Sequence, residues 1–217
     1  PINFPRLRLA VIDEQHRFGV RQRTTFRQKG NLIDLLVMTA TPIPRTLALS
    51  LYGDLESSTI DEMPPGRPPI KTFLSPETEA FAAVRREVSA GRQAYIVYPI
   101  IEESERLDLQ SAKAEFERLK SSIFPDLKVA LIHGAMPGKA KSKVMRAFAQ
   151  GEFQILVATP VIEVGIDVSN ATVMVIQNAD RFGLASLHQL RGRIGRGAAE
   201  SYCHLVAGPR TLHAKSR

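Results

Sequence analysis

Short runs in which every residue is apolar recur along this chain, at Leu9–Ile12, Leu35–Met38, Val129–Ile132, Ile155–Ala158 and Val173–Ile176. Such a run has no polar face to offer water, so it reads as a buried strand. Ile70–Leu74, Ala94–Tyr98 and roughly Ser201–Val206 read as further strands. Between them lie stretches of helical spacing. Ser75-Pro76 caps a predicted helix that presents Phe81, Val84 and Val88 on one face and ends at Gly91. Another, after the acidic loop Glu102–Asp108, aligns Phe116, Leu119 and Ile123. Alternation of this kind predicts an α/β fold with parallel strands.

Met63-Pro64-Pro65-Gly66-Arg67-Pro68-Pro69 interrupts the rhythm. Prolines at that density can neither pair in a sheet nor continue a helix, so 63–69 reads as a stiff linker. A long surface loop within one domain is the alternative. Residues 70–217 then hold about six strands, a whole α/β unit. Residues 1–62 hold two or three, too few to close a core, so a preceding portion is expected. Pro1 opens the chain without Met, in keeping with a cut from something longer.

Composition narrows the classes. No run of about 18 apolar residues occurs, so no membrane-spanning helix or membrane partner is expected. Cys203 is the only cysteine, which excludes an internal disulfide and suits a reducing, cytoplasmic setting. One Cys and five scattered His residues make a zinc site improbable. The net charge of +7 favours polyanionic partners.

Four segments carry chemistry. Val11-Ile12-Asp13-Glu14-Gln15-His16 delivers two adjacent carboxylates at a strand end, although both are poor strand formers. In a nucleoside-triphosphate motor the first would hold Mg²⁺ and the second would act on the attacking water. Thr39-Ala40-Thr41-Pro42-Ile43-Pro44-Arg45 follows the second strand and leads into a helix. Ala158-Thr159-Pro160-Val161-Ile162-Glu163-Val164-Gly165-Ile166-Asp167 leaves a buried strand at the edge where α/β folds bind ligands. There Thr159 can bind a phosphate, Gly165 permits close approach, and Asp167 can accept from a ribose or an arginine. Gln189-Leu190-Arg191-Gly192-Arg193-Ile194-Gly195-Arg196-Gly197 is the strongest signal. On a helix Gln189, Arg193 and Arg196 share one face and Leu187, Leu190 and Ile194 the opposite one. Two guanidiniums aimed together suit a transferring phosphoryl group.

Taken together these motifs resemble motifs II, III, V and VI of superfamily 2 helicases. Asp13–Val20 and Arg181–Gln189 are similar to the RecG-like ATP-dependent DNA helicases within it. The resemblance runs from about Leu7 to Val206 and implies two RecA-like parallel-sheet lobes, the first partial and the second complete. It implies ATP and Mg²⁺ as cofactors, with Asp13 on Mg²⁺ through water and Glu14 on the hydrolytic water. Gln15 and His16 would link nucleotide state to the partner lobe, and Thr39, Thr41 and Arg45 would couple hydrolysis to DNA movement. Gly165 and Asp167 would approach the nucleotide, Arg193 and Arg196 would supply finger charge, and Gln189 would position water or phosphate. Thr159 and His133 would lie on DNA, although His133 at a strand end reads equally as a satisfied histidine. Pro160 departs from the Thr of this family. Implied partners are branched or duplex DNA (Holliday junctions, stalled forks), met through phosphates, and the missing N-terminal part of the same protein. The chain is expected to be monomeric.

No Gly-x-x-x-x-Gly-Lys-[Ser/Thr] phosphate loop occurs in these residues. Gly134-Ala135-Met136-Pro137-Gly138-Lys139-Ala140 has one residue too few, and Ala140 brings no hydroxyl to Mg²⁺. By itself the chain is therefore expected to be inactive. Two other functions fit the same residues: a non-catalytic DNA-binding module, and part of a transcription-repair coupling translocase.

Overall fold

The computed structural model describes residues 7–12, 34–38, 56, 58–60, 62, 66–99, 105–160 and 167–208. The chain divides into two compact units, Pro1–Ile60 and Asp61–Arg217. In the first, β1 (Leu9–Ile12) and β2 (Asp34–Val37) pair in parallel, Leu9 opposite Asp34 through Ile12 opposite Val37. Sequence patterning predicts these strands to be buried, and there the structure differs. Leu9, Val11, Leu36 and Met38 are 41–56% exposed. The apolar pattern demands cover on both faces, and no further layer covers this pair among the described residues.

The second unit is a six-stranded parallel sheet: β3 (Lys71–Leu74), β4 (Gln93–Val97), β5 (Val129–Ile132), β6 (Ile155–Ala158), β7 (Ala171–Ile176) and β8 (Tyr202–Leu205). The spatial order is β3-β8-β7-β4-β6-β5. Every residue of β4, β6 and β7 is buried. Because successive side chains point to opposite faces, each of these strands feeds two cores. Ala94, Ile96, Ile155, Val157, Val173 and Val175 face one core, under α1 (Glu77–Ser89) and α2 (Glu105–Arg118). Tyr95, Val97, Leu156, Ala158, Met174 and Ile176 face the other, where Met145 and Phe148 of α3 (Gly138–Ala149) and Leu190 of α4 (Leu184–Arg191) pack. Tyr95 and Phe148 meet with ring centroids 5.1 Å apart.

Local corrections have physical causes. Ser75 does not cap α1. Pro76 holds the N-cap position without a side-chain bond, and Ser75 Oγ instead lies 2.8 Å from Nδ1 of buried His204 on β8. The helix predicted through Ile123 ends as an α-helix at Arg118 and widens into a π-turn, Leu119–Ile123. Leu119 stays fully buried and Ile123 still packs on the same core, so the wider turn preserves the apolar stripe. Part of the acidic stretch read as a loop is already helical, since α2 begins at Glu105. Cys203 is buried, and burial pushes its thiol up to about 12, so it carries no thiolate at neutral pH.

Phe148 is completely buried and, with Met145, packs α3 against the sheet. Phe148→Ala should destabilise the second unit by about 3–5 kcal/mol in chemical denaturation, the range for a large aromatic lost from a core.

Candidate functional site

The C-terminal edge of a parallel sheet collects strand-end loops, and its most open crevice forms where neighbouring strands lead away in opposite directions. Here those strands are β4 and β7. Protein side chains occupy that point. Arg118 donates from Nη2 to Glu77 Oε1 at 2.6 Å and from Nε to Glu115 Oε2 at 2.9 Å. Gln177 Nε2, just past β7, donates to Glu77 Oε1 at 3.0 Å, and Tyr98 OH, just past β4, donates to Glu115 Oε2 at 3.1 Å. The Tyr98 hydroxyl is held well above its ordinary range, by burial first and by Glu115 second. This network ties both strand ends to α1 and α2.

One position along the edge, polar atoms are left over. His133 follows β5 and Thr159 follows β6, and the Thr159 amide donates to the Ile132 carbonyl at 3.2 Å. Thr159 is 5% exposed, yet its Oγ1 is buried with no partner among the described residues, as is His133 Nδ1. Burial, then Lys113 and Lys141, lower the His133 pKa, so the ring is neutral at pH 7. A neutral imidazole and a hydroxyl at one strand edge, backed by two lysines, can take an anionic oxygen. Among the described residues, His133 Nδ1 thus lacks the partner that a satisfied strand-end histidine would have.

The arginine segment departs from its predicted geometry. α4 ends at Arg191 with Gly192 as C-cap, so Gln189, Arg193 and Arg196 do not share a helix face. Gln189 is half-buried on α4, while the two arginines lie on the loop beyond it. The apolar half of the pattern holds, because Leu187, Leu190 and Ile194 all pack into the α3–α4 core. Beyond the helix end, two glycines set the path of the loop. Gly195 adopts φ +69°, and a Cβ there would stand 2.8 Å from Ile70 Cγ1. At Gly197 a Cβ would stand 2.7 Å from the Ser169 carbonyl oxygen. The loop therefore lies flush on the turn before β7, and Arg196 reaches Asp167 there: Nη1 is 3.5 Å from Oδ1, and Nε donates to the Gly192 carbonyl at 3.3 Å. Tyr95 on β4 feels both arginines and Asp167. Its hydroxyl is raised by burial, and the two cations pull it the other way.

Arg196 and Asp167 are thus brought together, with Arg193 on the same loop, and His133 with Thr159 form a separate pair. Asp13, Glu14, Gln15, His16, Thr39, Thr41, Arg45 and Gly165 lie outside the described residues. Lys139, of the phosphate-loop look-alike, is exposed on α3. Sequence reading missed Tyr95 and the Arg118 network. The network's members are up to 100 residues apart, and no local pattern joins them.

With Gly195 and Gly197 both in close approach, Gly195→Ala and Gly197→Ala should each cost about 1–3 kcal/mol by overpacking. Thermal denaturation checks this, and an unchanged midpoint for both would contradict the packing described.

The profile of the family described as "Helicase conserved C-terminal domain" matches residues 79–198, from α1 through the arginine loop. The chain is 55% identical over 210 residues to the ATP-dependent DNA helicase RecG of Thermotoga maritima, covering 95% of this chain and 27% of that protein. Against RecG of Synechocystis sp. it is 54% identical over 219 aligned positions, 100% of this chain and 26% of that protein. A solved structure of RecG bound to a three-way DNA junction superposes with a TM-score of 0.74 at 48% identity, over 99% of this chain and 28% of that one. The chain spans about a quarter of the length of these relatives. That profile covers more than half of the chain, and the chain belongs to the helicase conserved C-terminal domain family.

Proposed function

We propose that this chain is motor machinery of a RecG-like, ATP-dependent helicase that moves on branched or duplex DNA in recombination and repair. In this reading residues 1–62 finish a first RecA-like lobe, 63–69 link, and 70–217 form the second lobe. The observation that carries it is the arginine loop. Gly195 and Gly197 seat it against the turn before β7, with Arg196 held by Asp167 and Arg193 close enough to act on the same Tyr95 hydroxyl.

The chemistry follows from those groups. A γ-phosphoryl in transfer spreads negative charge over its equatorial oxygens, and a preorganised guanidinium stabilises that charge more than the ground state. At 3.5 Å the Arg196–Asp167 pair is loose, and half of Asp167 is open to water. Arg196 is therefore kept extended and charged, yet free to exchange its carboxylate for a phosphate. Asp167, relieved of Arg196, can accept from a ribose hydroxyl. Gln189 would position water or phosphate from α4. Mg²⁺, which neutralises phosphate charge when bound, would be held by Asp13, with Glu14 on the water. Gln15, His16, Thr39, Thr41 and Arg45 would carry the nucleotide state toward DNA.

His133 and Thr159 would meet the DNA backbone. Their Nδ1 and Oγ1 have no partner among the described residues, so both are available to a phosphate oxygen. Such contacts read phosphate rather than base, so binding would be salt-sensitive and indifferent to sequence.

In a full-length context Arg196→Ala should lower DNA-stimulated ATP hydrolysis on the order of 10³-fold, the effect of losing an arginine finger, while DNA affinity persists. Turnover within twofold of the unsubstituted protein would refute the assignment.

A further inference from the structure

Helix α3, Gly138–Ala149, carries Lys139, Lys141, Lys143 and Arg146 and no acidic residue. The other long helices mix their charges: α1 has Glu77, Glu79 and Glu87 against Arg85 and Arg86, and α2 is similarly mixed. Lys139, Lys143 and Arg146 stand at i, i+4 and i+7 and are all exposed, so they form one stripe on the outer face. They line an open groove of about 740 Å³ together with Ser142, Gln150 and Glu152. No ion pair joins any of the four cations to another described residue.

A solvated helix face does not need this arrangement, and the helix is strained electrostatically by it. Lys139 and Lys143 repel one turn apart. Lys139 and Lys141 sit at the N-terminal end, where the helix dipole disfavours cations, and the first turn holds no acid to offset them. A local rule broken without any compensating contact among the described residues suits a partner outside the fold.

We propose that the outer face of α3 is a second DNA-contacting surface, binding the phosphate backbone of a duplex. It is additional to the strand edge at His133 and Thr159, and it rests on the DNA-motor reading for its choice of polyanion. Three features favour duplex backbone. The stripe descends from the helix end next to His133, so a duplex leaving that edge can continue onto it. Successive charges rise by about 6 and about 4.5 Å along the helix axis, a ladder suited to a run of phosphates. No aromatic side chain lines the groove, so it lacks the stacking platform that single-strand binders use. Glu152 also lines the groove and opposes an anion beside it.

The test is anisotropy titration of the 217-residue chain with a short blunt duplex at several salt concentrations. The triple variant Lys139→Gln, Lys143→Gln, Arg146→Gln is compared with Lys120→Gln, Lys128→Gln, which lie outside the groove. The stripe variant should lose about tenfold or more in affinity at low salt, and its salt slope should shrink by roughly 2–3, one counterion step per phosphate contact. The control should stay within twofold. Relief of the like-charge repulsion should leave the stripe variant's Tm unchanged or raised, so weaker binding cannot be ascribed to unfolding. Unchanged affinity and slope, or an equal loss in the control, would overturn the proposal. So would a stripe that binds poly-glutamate while duplex affinity stays intact. The motor reading is judged separately by Arg196→Ala turnover, which a failed stripe leaves untouched.

Discussion

Everything in the second unit follows from burying β4, β6 and β7 on both faces. No residue of those strands reaches water, so α1 and α2 must close one side and α3 and α4 the other. A sheet sealed in this way leaves only its strand ends and the loops beyond its helices for chemistry. His133 and Thr159 occupy the first kind of position, Arg193 and Arg196 the second. The Arg118–Glu77–Glu115 network fills the crevice between β4 and β7, which moves the open polar atoms one strand over, to β5 and β6.

Glycine does at the arginine loop what side-chain packing does in the core. A loop is a poor place to hold a charge precisely unless its backbone is fixed. Gly195 and Gly197 fix it by coming closer to Ile70 and Ser169 than any side chain would allow. The guanidinium of Arg196 thereby inherits the rigidity of the sheet through two backbone contacts. Asp167 then provides a counter-charge weak enough to be displaced. Preorganised but exchangeable charge is what transition-state stabilisation requires.

Strand positions were legible because a short run in which every residue is apolar, bounded by turn residues, suits a strand buried on both faces. Leu9–Ile12, Val129–Ile132 and Ile155–Ala158 match their expected bounds, and the other strands shift by one or two residues. Helix ends were less legible. Gly192 and Gly195 looked like costly residues inside a helix, while in the fold Gly192 caps its end and Gly195 turns the loop beyond it. The reason was tertiary: Ile70 and Ser169, the atoms that demand glycine, lie far along the chain. Leu9, Val11, Leu36 and Met38 declared themselves core residues, and their exposure shows a pattern written for a larger assembly of layers than these described residues supply. The Arg118 network could not be read at all, because long-range polar pairs leave no periodicity. The cations of α3 were visible as composition, but only the fold shows that three of them line one open groove.

The central claim is that these residues supply arginine charge to a nucleotide site whose phosphate loop they do not contain. ATP hydrolysis by the 217-residue chain with Mg²⁺, with and without a four-way DNA junction, tests it directly. The account predicts no turnover above background in either condition. Junction-stimulated turnover by the chain alone would contradict it, and would mean that a complete nucleotide site is built within these residues.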